Sequence, residues 1–258
     1  LPSVCPGGPT CPGYAFRDMP VPTDWSHEGL DYCIYRGYIA GTSASTVAPN
    51  GVCTRAQLVS ILYRIQGEPT TVAGYELAKL RVPFDDVPRG QWYTDAIWWA
   101  KLTGVVSGTS ATTFEPTAVV TRAQFVTMLA GLQGADVSAY TSGRFTDVPA
   151  NAWYAPYVNW AAANNIVSGT SATTFDPNAT ISRQDMAVML YNYTQQYGVQ
   201  LDQTAVTAFT DESSIAAYAL PAVQALHRAG VFSGMPDGSF QPYATATREQ
   251  ACVVLCEL

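Results

Sequence analysis

The octapeptide Ser-Gly-Thr-Ser-Ala-Thr-Thr-Phe occupies residues 107–114 and recurs unchanged at 168–175. An identity of that length inside one chain records an internal duplication. A duplicated supersecondary unit constrains the fold before any single residue is weighed, because each unit must bury its apolar face on its neighbours. The same offset of 61 carries Trp92 onto Trp153, Trp99 onto Trp160, Pro116 onto Pro177 and Arg122 onto Arg183. Backwards by 67, Trp25, Gly41, Pro49 and Arg55 fall under Trp92, Gly108, Pro116 and Arg122; forwards by 65 from the third copy, Tyr218, Gly234, Pro242 and Arg248 continue the series. The chain therefore holds four copies, each opened by Phe-x-Asp: Phe16/Asp18, Phe84/Asp86, Phe145/Asp147 and Phe209/Asp211. Their bounds read as 15–67, 84–133, 145–197 and 209–258, after a Cys-, Pro- and Gly-rich segment at 1–14. The polar or Gly-containing stretches between them read as linkers.

Each copy reads as helix, loop, helix. After the Trp, apolar residues recur at helical spacing, as in Tyr93, Ile97 and Ala100 or Tyr154, Val158 and Ala161, until a Gly or Asn ends the run. The Thr/Ser-rich stretch from Gly108 to Pro116, and Pro236-Asp-Gly238 in the last copy, are turn chemistry with room for a short strand or extended arm. The second helix opens with Thr-Arg-Ala-Gln at 54–57 and 121–124, Ser-Arg-Gln-Asp at 182–185 and Thr-Arg-Glu-Gln at 247–250. A hydroxyl at the N-cap with Gln three residues on is a capping box; the Asp of the third copy reaches less far. Leu58, Ile61, Leu62 and Ile65, or Phe125, Met128, Leu129 and Leu132, then form one apolar stripe. One helical hairpin cannot bury two such stripes, so the second helices are expected inside an assembly of copies.

With 48% hydrophobic and 13% charged residues among 258, the chain has the means to bury a core. A net charge of −7 leaves no broad basic surface for nucleic acid, and no run approaches the roughly 18 apolar residues that insert into a membrane. The first residue is Leu1, which fits a removed signal peptide or a piece of a longer protein. Six cysteines suit an oxidising compartment, and with neither a CxxC pair nor a Cys/His cluster no zinc site is expected. Cys5, Cys11, Cys33 and Cys53 lie near the start, and Cys252 and Cys256 sit one helical turn apart near the end. One pairing among the alternatives joins the last two to Cys5 and Cys11 and staples the ends.

The combination of Phe-x-Asp-Val-Pro, Trp-Tyr, a helix, Gly-Val-Val-Ser-Gly, Phe-x-Pro and Thr-Arg-Ala-Gln resembles the S-layer homology family, from Phe16 to the C-terminus. The resemblance implies a mainly all-α fold of tandem helix-loop-helix repeats, packed as a pseudo-symmetric bundle with grooves between lobes. It further implies a secreted module at the bacterial cell surface. Its partner would be a secondary cell wall polysaccharide, often capped by a pyruvylated amino sugar. Four copies depart from the three that the family typically closes into a trimer, and the fourth, with Tyr218 in place of Trp, diverges most.

A cation at the first helical position is disfavoured by roughly 0.3–1 kcal/mol, yet every copy places one there. Arg55, Arg122, Arg183 and Arg248 would either pair with the Phe-x-Asp carboxylates or join the helix N-terminus in holding a carboxylated sugar, the role the resemblance favours. Trp25, Trp92 and Trp153 would pack on the core with one edge left for a sugar ring, whereas the unrepeated Trp98 reads as packing. Gly41, Gly108, Gly169 and Gly234 would serve special backbone angles or close approach first, and a passing ligand second. Asp86 and Asp147, like Asp18 and Asp211, would cap the first helix, pair with the arginine or bind sugar hydroxyls, with capping as the default.

His27 and His227 do not recur, and a repeated architecture performing repeated chemistry should repeat its base. No nucleophile elbow, phosphate loop, HExxH or calcium loop is present, so neither catalysis nor a cofactor is expected. Beside anchoring to wall glycan stands a second reading, a self-assembling subunit of a surface layer or filament.

Overall fold

The computed structural model describes residues 7–23, 25–80, 84–106, 108–201, 203–232, 234–235 and 237–247, without the side chains of Trp25, Ser26 and Ala78. Cys5, Arg248, Cys252, Cys256 and the expected second helix of the fourth copy lie outside the described residues. The described fold is mainly helical: α1 (Trp25–Tyr35), α2 (Arg55–Ile65), α3 (Thr94–Leu102), α4 (Arg122–Gln133), α5 (Ala155–Ala163), α6 (Arg183–Tyr197) and α7 (Leu220–Arg228). The first helix of every copy stops where a residue enters the left-handed region, at Gly37 (φ 72°), Gly104 (77°), Asn165 (60°) and Gly230 (74°). These are the Gly and Asn stops read from the sequence.

The chain divides into two compact units. One comprises residues 54–181 and 188–198, the other 1–53, 182–187 and 199–258. In the first, α2 packs against α3 and α4 against α5, so each second helix is joined to the first helix of the following copy. Leu58, Ile61 and Leu62 of α2, Ile97 and Trp99 of α3, Val126 and Leu129 of α4, and Val158 and Trp160 of α5 are buried. α4 is buried continuously from Arg122 to Ala130, and a helix covered on every side is an inside helix. The described part of the stretch read as a linker after the first copy carries secondary structure. Strands β1 (Thr71–Val72) and β2 (Tyr75–Glu76) form an antiparallel hairpin. Its two turn residues, Ala73 and Gly74, both have positive φ, which suits the right-handed strand twist.

The second unit contains α1, α7 and the first turn of α6. Leu30, Val47, Val223, Leu226, Phe232 and Phe240 are buried there, as are Cys11 and Cys33. Among the described residues the Gly-to-Pro loops form no strand. They close instead through repeated Ser/Thr turns: Thr42 N–H to Thr46 O at 2.7 Å, Thr109 to Thr113 at 2.8 Å and Thr170 to Thr174 at 2.8 Å, with Met235 to Ser239 in the fourth copy at 2.7 Å.

Candidate functional site

The second helices begin by docking on the loop of the following copy. The N–H of Arg55 donates to Ala118 O at 2.9 Å and that of Ala56 to Pro116 O at 3.0 Å. Arg122 and Ala123 do the same to Ala179 and Pro177, and Arg183 and Gln184 to Ala244 and Pro242. Single β-bridges accompany these contacts, at Thr54 with Val119, Thr121 with Thr180, Ser182 with Thr245 and, from the fourth copy to the first, Thr247 with Val52. The next amide is taken by the capping box, complete at Thr54/Gln57 and Thr121/Gln124. The backbone donors that would make these helix ends an anion site are therefore occupied by the protein itself.

The arginine side chains follow the same direction. Arg55, Arg122 and Arg183 are 1%, 4% and 0% exposed. Their Nε–H groups donate to the carbonyls of Phe114, Phe175 and Phe240 at 2.7, 2.9 and 2.6 Å. Each guanidinium lies over the ring of that same Phe, at 4.3, 4.9 and 4.7 Å. Burial holds the Arg55 pKa down to about 10, against the opposing pull of Glu115 and Asp86. Each of these Phe rings rests on the Phe of its own Phe-x-Asp, Phe114 on Phe84 at 5.6 Å, Phe175 on Phe145 at 5.6 Å and Phe240 on Phe209 at 5.2 Å. Gly108 completes the column. A Cβ there would stand 2.5 Å from the Phe84 ring and from Thr113 O, and Gly41 and Gly169 meet Phe16 and Phe145 in the same way. Ring and backbone approach these three glycines closely, one of the two backbone roles expected of them.

The Phe-x-Asp carboxylates do not cap the first helix. Asp86 accepts the N–H groups of Phe114 at 2.8 Å and Glu115 at 2.6 Å. Asp147 accepts those of Phe175 and Asp176, Asp18 those of Val47 and Ala48, and Asp211 those of Phe240 and Gln241. The second residue of each pair precedes a Pro and has positive φ: Ala48 (50°), Glu115 (58°), Asp176 (57°) and Gln241 (55°). A bidentate carboxylate thus holds a backbone turn that non-glycine residues rarely adopt. The default assignment, helix capping, missed this because the bonded amides lie 28 to 30 residues away in sequence.

Trp92 is 56% exposed, with its ring edge-on to Tyr93 at 5.1 Å. It presents more surface than the single edge expected. Trp153 repeats the arrangement with Tyr154 at 5.3 Å and is half-buried; the side chain of Trp25 lies outside the described residues. Trp98 is 8% exposed, in keeping with packing. In the unit holding the first and fourth copies a cleft of about 570 Å³ opens between their loops, lined by Asn50, Val52, Asp237, Gln241, Thr245 and Thr247 among others. Hydrogen bonds from Ser239 lower the pKa of Asp237 beside it. The sequence offered no Cys/His cluster, yet Cys11, His27 and Asp31 are gathered together in the interior. His27 Nδ1 donates to Pro20 O at 2.6 Å, His27 Nε2 lies 3.8 Å from Cys11 Sγ, and Asp31 accepts the N–H of Gly13 at 2.7 Å. These contacts tie the N-terminal segment to α1.

Comparison with known proteins matches the repeat to a family model described as the S-layer homology domain, at residues 16–59, 83–126, 144–187 and 208–252. The chain is 35% identical over 180 residues to an endoglucanase of Bacillus sp. (strain KSM-635), covering 68% of this chain and 18% of that protein. It is 24% identical over 191 residues to an S-layer protein of Bacillus thuringiensis subsp. finitimus, covering 73% and 22%. It is 29% identical over 188 residues to the surface-layer 125 kDa protein of Lysinibacillus sphaericus, covering 70% and 15%. The chain thus spans less than a quarter of the length of each of these relatives.

Proposed function

The chain belongs to the S-layer homology domain family, and from that premise we propose that it anchors to the cell envelope by binding an anionic, pyruvylated secondary cell wall polysaccharide in grooves between its copies. It is a cell-surface module of the surface-layer type, secreted to the bacterial surface. The similarity to an endoglucanase covers 18% of that protein, and the four matches to one repeat family point to a non-catalytic anchoring domain.

The observation that carries the glycan reading is Trp92, an indole left 56% exposed where its neighbours Thr94, Ala96 and Ile97 are buried. A large aromatic face held edge-on by Tyr93 suits the apolar face of a sugar ring and leaves an indole N–H for a hydroxyl. Trp153 offers a second such face. In this reading Arg55, Arg122 and Arg183 are supports: their charge lies beneath the loops and favours an acidic substituent above them, while Asp86, Asp147, Gly41, Gly108 and Gly169 fix the loop shape. Arg248 and Trp25 complete the set by register.

Self-assembly is the second reading. It is supported by the S-layer relatives and weakened by one feature of this chain. Thr247 pairs with Val52, and Cys53 N–H donates to Ala246 O at 3.2 Å, so the edge that a further chain would extend is used within the same chain. Calorimetric titration with the native wall polysaccharide and with polymer stripped of its acidic substituent decides between them. Anchoring requires binding that weakens in Trp92→Ala and on removal of the substituent. A folded protein that ignores both polymers and grows in mass with concentration would put self-assembly first.

A further inference from the structure

Two departures from the repeat pattern, on different copies, meet in space. At 182–185 the third copy reads Ser-Arg-Gln-Asp where the first two read Thr-Arg-Ala-Gln, and the fourth copy has Tyr218 where the second and third have Trp92 and Trp153. Gln184 is 3% exposed. Its Oε1 accepts the N–H of Ala216 at 3.1 Å and its Nε2 donates to the Tyr218 hydroxyl oxygen at 3.2 Å. That hydroxyl donates in turn to Asp185 Oδ1 at 2.8 Å, and Asp185 Oδ2 accepts the Ser182 hydroxyl at 2.9 Å. At the matching positions the first two copies have Ala56 and Ala123, which carry no polar atom, and the neutral amides Gln57 and Gln124, which serve their capping boxes.

We propose that Asp185, pinned by Ser182 and Tyr218, makes the junction of the third and fourth copies select against an acidic sugar, an inference that rests on the glycan-anchoring reading. The loop carboxylates of the first two junctions, Glu115 and Asp176, give way here to the neutral Gln241, and the charge moves to Asp185, bonded directly to the Tyr218 hydroxyl, so a carboxylated ligand approaching that ring meets like charge. Tyr218 remains 60% exposed, so an uncharged sugar residue still has a ring to stack on. Gln184 fixes that ring by bonding both its hydroxyl and the backbone two residues before it. One chain would then hold two kinds of subsite for one polymer, acidic residues beside Trp92 and Trp153 and neutral ones beside Tyr218.

Hydrogen-exchange mass spectrometry on the intact protein tests this with two probes, the native pyruvylated wall polysaccharide and the same polymer after its pyruvyl groups are removed. The native polymer should slow exchange around residues 92–96 and 153–157 several-fold and leave 214–220 unchanged, whereas the stripped polymer should protect 214–220. In Asp185→Gln, and in Asp185→Asn, which keeps the shape and an acceptor for Tyr218, the native polymer should protect 214–220 as well. Equal protection of all three segments by the native polymer in the wild-type chain, or no change on neutralising Asp185, overturns the inference and leaves anchoring intact. Absence of protection at every segment with both polymers overturns the anchoring reading and the inference with it.

Discussion

Arg55 in the first copy donates its Nε–H to the carbonyl of Phe114 in the second, 59 residues away, at 2.7 Å, and its guanidinium lies over the ring of the same residue at 4.3 Å. One side chain satisfies a buried carbonyl and stacks on an aromatic face, and only a planar, delocalised cation does both. Arg122 on Phe175 repeats the geometry. Arg122→Ala is therefore expected to lose about 2–4 kcal/mol of stability through a stranded carbonyl and a cavity. Arg122→Lys should recover only part of the loss. Urea unfolding followed by far-UV circular dichroism measures both, and a Lys variant as stable as the wild type would contradict the stacked role.

Two tryptophans six residues apart differ sharply in exposure. Trp98 is 8% exposed and Trp92 is 56% exposed. Trp98→Ala should cost about 3–5 kcal/mol, as for other buried aromatic truncations, while Trp92→Ala should change stability by under about 0.5 kcal/mol. If Trp92 is a sugar platform, that second variant weakens polysaccharide binding at least several-fold while its melting temperature holds. A large loss of stability in Trp92→Ala would return it to the core.

The legible part of this fold was its repetition. Capping boxes at Thr54 and Thr121, helix stops at Gly37, Gly104 and Asn165, and the inward stripe of α4 are local signals, set by residues within a turn or two of one another. What stayed hidden is where chain-distant groups meet. Asp86 could be seen to recur, but its partners, the amides of Phe114 and Glu115, are backbone groups that carry no sequence mark. The arginines drew attention because a cation at a helix start is unfavourable. In the fold these cations meet a carbonyl and an aromatic ring from the next copy. The hairpin inside the first linker was missed because its strands are only two residues each.

Gly108 gives a sharp test of the buried column. Gly108→Ala places a methyl 2.5 Å from the Phe84 ring and from Thr113 O, and neither neighbour is the far end of a flexible chain. The variant should be destabilised by about 1–3 kcal/mol through overpacking. Gly131→Ala, whose added Cβ would meet Val105 only at 3.0 Å or beyond and which lies inside a helix, should lose less. Thermal melts of the two variants rank them, and the opposite order would show that the Phe84 column yields easily.

Alkaline pH should unfold this protein, and the sign follows from its phenols. Burial raises the pKa of Tyr63, Tyr154, Tyr157, Tyr193 and Tyr197 above 10.0. Below that value these groups are protonated in both states and their contribution is fully present. As pH climbs past it the unfolded chain releases its phenolic protons first, so the native state binds more protons and stability falls. Arg55 opposes them, because burial lowers its pKa to about 10 in the folded chain and stability from this group rises as pH climbs past that value. Five phenols face one guanidinium, so the melting temperature should be level up to pH 9 and decline above about pH 10. Melts at stepped pH, paired with tyrosinate absorbance, measure it. A flat melting temperature to about pH 11, with all phenols ionising in the folded state at their free value, would mean that burial does not hold these protons.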